Sequence, residues 1–161
     1  MEGFKALREA VAAYLAADKS QSLCRVTGEY PARWRALPLR EPVVAVGFEA
    51  IRMTGSLGGL VAGAEGDGYG LPCTVVMRFS VFVPALEKEV QAHEVLEWLW
   101  NRLLLGGNPF GFVELEAGPI AWDSACEANC LVAKGTLRMA MAGAAPEAET
   151  VTEVDIVRVE A

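Results

Sequence analysis

The side chains with most chemical capacity in this chain are one histidine, four cysteines, a run of carboxylates and a glycine-rich stretch. His93 lies in AHEVLEWLW. HEVLE carries Glu97 where a zinc-protease helix needs its second histidine one turn on, so the histidine pair is incomplete and that chemistry is excluded. Any Ser-His-Asp or Cys-His relay would have to use His93, and no nucleophile signature accompanies it. Cys126 and Cys130 are four residues apart, but a tetrahedral zinc site would have to recruit Cys24 or Cys73 from far along the chain. GDGYG offers glycines for a phosphate cradle. A strand follows it where a helix N-terminus is needed, and no lysine occurs between Lys19 and Lys88, so nucleotide binding is rejected. Glu87, Glu89, Glu94 and Glu97 read as one solvated helix face, not as an acid–base pair. The expectation is a protein without catalytic, metal or cofactor site that works by binding other subunits.

Two aromatic features fit that role. Trp34 stands between Arg33 and Arg35 in a proline-flanked stretch, and Trp98 falls a third of a turn outside the apolar stripe of its helix, which predicts partial exposure. Tryptophan and arginine are enriched where partners bind. The alternative is that the stretch folds over Trp34 and a neighbouring strand covers Trp98.

The elements that would position these groups follow from periodicity. Phe4, Leu7, Val11, Tyr14 and Leu15 recur at helical spacing and predict a first helix that ends near Asp18. Leu23 to Val26 reads as a short extended piece, and Pro31, Pro38 and Pro42 make the next stretch a loop. Val43 to Met53 is a strand whose phase slips between Gly47 and Ala50, which signals a bulge or burial on both faces. The seven glycines between Thr54 and Pro72 predict a long loop. In CTVVMRFSVFVP, Val75, Met77, Phe79, Val81 and Val83 form one apolar face. A second helix runs from about Glu87 to Leu105 on a stripe of Ala92, Val95, Leu96, Leu99 and Leu103. Strands FVELEA, LVAKGTLRMAM and TVTEVDIVRV (Thr150 to Val159) follow. The order α-β-β-α-β-β-β, with loops joining the strands, predicts an α+β fold: a mostly antiparallel mixed sheet with both helices on one face.

A length of 161 residues fits one domain and can close a hydrophobic core. With 53% apolar and 22% charged residues, the chain is globular in composition, not disordered. A net charge of −7 repels phosphate backbones and anionic lipid, which argues against general nucleic-acid or membrane binding. Charges interrupt the first apolar segment and no uncharged span reaches membrane length, so neither a secretory leader nor a transmembrane helix is expected, and the cysteines are expected as reduced thiols.

Taken together, the N-terminal helix, PLREPVVAVGF, the glycine-rich loop, RFSVFVP, AHEVLEWLWNRLL and PIAWDSACEANCLVAKGTLRMAM resemble the phage tail terminators, also called tail-completion or head–tail joining proteins, of prophages. The resemblance is one of element order and texture over almost the whole chain. It implies a structural protein that forms a homo-oligomeric ring, usually hexameric, capping the tail tube and offering a surface to neck or connector proteins. It also implies assembly in the host bacterial cytoplasm and residence in the virion tail. The loop Thr54–Pro72 would be the arm facing tube or lumen. On exposure grounds the candidate interface residues are Arg33, Trp34, Arg35, Gly58, Gly59, Asp67, Tyr69, Glu94 and Trp98. The alternative is a small α+β ligand-binding module or enzyme with an apolar pocket between sheet and helices, where Arg78 and Arg138 are the nearest polar candidates.

Overall fold

The computed structural model describes residues 3–18, 23–28, 30, 39–53, 69–84 and 89–143. Helix α1 spans Gly3–Ala16 and buries Leu7, Val11 and Leu15, the i, i+4, i+8 row that the spacing predicts. Strands β1 (Arg25–Thr27), β2 (Val43–Met53) and β3 (Tyr69–Pro84) come next, then α2 (Glu89–Trp100), β4 (Phe112–Asp123) and β5 (Ala128–Gly143). They form one five-stranded sheet in the order β1-β2-β3-β5-β4. All neighbours are antiparallel except β1 and β2, which run parallel. The fold is therefore α+β with a mixed, mostly antiparallel sheet, as expected.

Both helices lie on one face. Val44, Val46, Val75, Met77, Phe79, Val81, Leu131 and Leu137 share a single core with the α1 row and with Val95, Leu99 and Leu103 of α2. The opposite face has a smaller core, in which Val43, Ala45, Phe82, Ala128 and Cys130 pack with Leu39 and Cys126. Consecutive residues Val43 to Val46 are all buried because this stretch is covered on both faces. The register also slips between Phe48 and Ala50, so the two explanations for the phase change hold together.

Several boundaries differ from expectation. The glycine-rich loop does not reach Pro72: β3 begins at Tyr69, because Tyr69–Pro72 pair with Ala140–Gly143. With β2 ending opposite Cys73 and β4 starting opposite Leu137, this part of β3 and β5 has no further neighbour strand among the described residues and forms an arm beyond the sheet body. The short extended piece is a true strand, β1, held by the parallel register Arg25↔Val43 to Thr27↔Ala45. β4 does not stop at Ala117. It passes Gly118 and Pro119 through a bulge and continues to Asp123, which a proline permits on an edge strand. The expected strand Thr150–Val159 lies outside the described residues.

Two glycines are fixed by close approach. After α2 the chain widens into a π-turn, Asn101–Leu105, closed by Gly106 N–H donating to the Asn101 carbonyl at 2.6 Å. A Cβ on Gly106 would meet that oxygen at 2.9 Å. Gly135 lies mid-strand in β5, where a Cβ would come within 2.7 Å of Phe112 Cε1 and Leu115 Cδ2. Its missing side chain is the space into which β4 packs Phe112, whose ring centroid lies 6.0 Å from that of Phe79. Gly135→Ala is expected to cost about 1–3 kcal/mol through overpacking. Equilibrium denaturation should show a lower midpoint with an unchanged m-value.

Candidate functional site

β1 ends at Thr27, opposite Ala45. From Val46 to Met53, β2 has no partner strand on that side among the described residues. An open cleft of about 590 Å³ lies at this point, lined by Arg8, Gly28, Tyr30, Gly47, Arg78 and Ser80 among others. Arg8 reaches it from α1 on the helix face. Arg78 reaches it from β3 on the opposite face, where it pairs in register with Gly47. The Nε of Arg8 is buried with no hydrogen-bond partner among the described residues. Arg78 Nε donates to Ser80 Oγ at 3.1 Å, and Arg78 Nη1 lies 3.4 Å from Glu49 Oε2.

Glu49, the residue in the β2 bulge, also receives Lys134 Nζ at 3.1 Å. The hydrogen bond and charge of Lys134, with those of Arg78, hold the Glu49 carboxyl below its ordinary range. This network is solvent-exposed, so it contributes little to stability. Chemically it is a charged face with one acid held between two bases, next to a cleft lined by Arg8 and Arg78.

The second polar cluster closes the smaller core. The Tyr30 hydroxyl donates to Asp123 Oδ2, and Asp123 Oδ1 accepts the amide hydrogens of Ala125 (3.0 Å) and Cys126 (2.9 Å). These bonds shape the β4–β5 turn, which Glu127 completes at φ 51°. The Tyr30 ring stands edge-on to Phe82 with centroids 5.3 Å apart. Partial burial and the bond to Asp123 push the Tyr30 phenol well above its ordinary value. For Asp123, burial alone would raise the carboxyl, but the bonds from Tyr30 and from the Cys126 and Ala125 amides together outweigh it and leave it lowered. Burial, then the Asp123 charge, pushes the Cys130 thiol up to about 11. A thiol in that range is protonated near neutrality and is a poor nucleophile or metal ligand. No group of three or more metal-ligating side chains occurs among the described residues, and none of the four cysteines forms a disulfide.

Of the residues singled out on exposure, Arg33, Trp34, Arg35, Gly58, Gly59 and Asp67 lie outside the described residues. Tyr69 opens β3 at the arm. Glu94 is exposed on α2, and so is His93. Trp98 is a correction: it is buried, 9% exposed, and belongs to the main core. The helical wheel places it outside the sheet-facing stripe, but α2 is covered on a second flank by the end of α1. There the Trp98 indole N–H donates to Asp18 Oδ2 at 3.1 Å. Asp18 also lies 3.5 Å from Arg102 Nε, an ion contact too long for a hydrogen bond, and the Arg102 guanidinium stacks over Tyr14 at 4.6 Å.

The exposed apolar side chains lie elsewhere. Ile51 (39%) and Met53 (49%) stand on the open part of β2, while Val113 (61%) and Trp122 (56%) stand on β4, the other edge. Ile51 and Met53 fall out of phase with Val44 and Val46 in the sequence, but the bulge at Glu49 returns both to the helix side, opposite Val75 and Cys73, so the phase slip does not predict their exposure. Trp122 lies past Ala117, the last residue of the expected strand FVELEA.

The lowered Asp123 carboxyl gives a signed pH effect. Below its ordinary value of 3.8 the unfolded chain binds the proton first, so this contribution is present above that pH and is lost as pH falls through the folded value. Tyr30→Phe removes one of the bonds responsible. The drop in thermal midpoint between pH 7 and pH 3 should therefore be smaller in this variant than in wild type, and an equal drop contradicts the assignment.

Comparison of the chain with protein-family models and with curated proteins returns no match.

Proposed function

We propose that this chain is a structural subunit of a phage or prophage tail: a ring-forming tail terminator or head–tail joining protein that caps the tail tube and presents a surface to neck or connector proteins. The observation that carries the self-assembly part is that, among the described residues, the sheet is covered on both faces at one end yet has two edges without a further strand, which bear the exposed apolar residues Ile51 and Met53 on one and Val113 and Trp122 on the other. An uncapped edge is a template for pairing with another chain. Two different edges on one subunit suit a head-to-tail contact, and a head-to-tail contact closes into a ring when its rotation allows. The tail-specific part rests on the resemblance in element order.

The reading places the protein in the host bacterial cytoplasm during assembly and in the virion tail afterwards. A net charge of −7 suits a ring through which DNA passes without sticking. The alternative, a ligand pocket between sheet and helices, gains no support from the described side chains. Phe79, Met77, Leu99, Leu103 and Val11 fill that space, each at most 1% exposed.

Light scattering on the full chain, alone and mixed with tail tubes, tests the proposal. The expected result is a closed oligomer of several 17.2 kDa subunits and an arrest of tube elongation. A strict monomer that leaves tubes growing contradicts it.

A further inference from the structure

We draw no further inference here: the strongest candidate, the cleft at the β2 edge lined by Arg8, Gly47, Arg78 and Ser80, carries none, because Arg78 is already engaged by Glu49 and Ser80 and nothing in the structure shows what covers the cleft.

Discussion

The structure depends on the C-terminal half of β3, Phe79 to Pro84, being buried from both sides. Met77, Phe79, Val81 and Val83 point into the helix-covered core, while Phe82, on the other face, is fully buried in the smaller one. A strand covered on both faces cannot slip its register without exposing one of its rows. That fixes β2 and β5 on either side of it, and through them β1 and β4 at the edges. Ser80, the buried polar residue of this strand, is tolerated because Arg78 donates to it.

From that constraint follows where interactions with other chains belong. Apolar side chains fill the space between sheet and helices, and Leu39, Cys126 and Tyr30 cover one end of the opposite face. The hydrogen-bonding capacity left over is at the strand edges and along the β3–β5 arm. On the proposed reading, partners would be recognised by extension of the sheet. The two edges differ in charge: the open stretch of β2 carries Glu49 and Arg52, whereas β4 carries Glu114 and Glu116.

Much of this was legible in the sequence because alternation and helical spacing report burial on one face. The rows of α1, α2 and β3, and the bulge near Phe48, all follow from local pattern. What stayed hidden depends on contacts distant in sequence. Trp98 reads as surface on a helical wheel, yet Asp18, 80 residues earlier, covers it. Tyr30 and Asp123 are 93 residues apart, and only folding brings them together to close the smaller core. Gly118-Pro119 ends most strands but not an edge strand, where the missing N–H can face outward. β1, at three residues, is too short for any period to show, and its parallel pairing with β2 is what sets the start of the open edge. The cleft beside that edge left no trace in the sequence, since Arg8, Gly47 and Arg78 come from three separate elements.

The proposal that this sheet works through its edges is tested most directly by amide hydrogen exchange on the assembled and the dissociated chain. The account predicts that the amides of Met77 to Val83 are slow in both states, whereas those of Val46 to Met53 exchange rapidly in the dissociated chain and become protected on assembly. Protection of Val46 to Met53 that is the same in both states would contradict it.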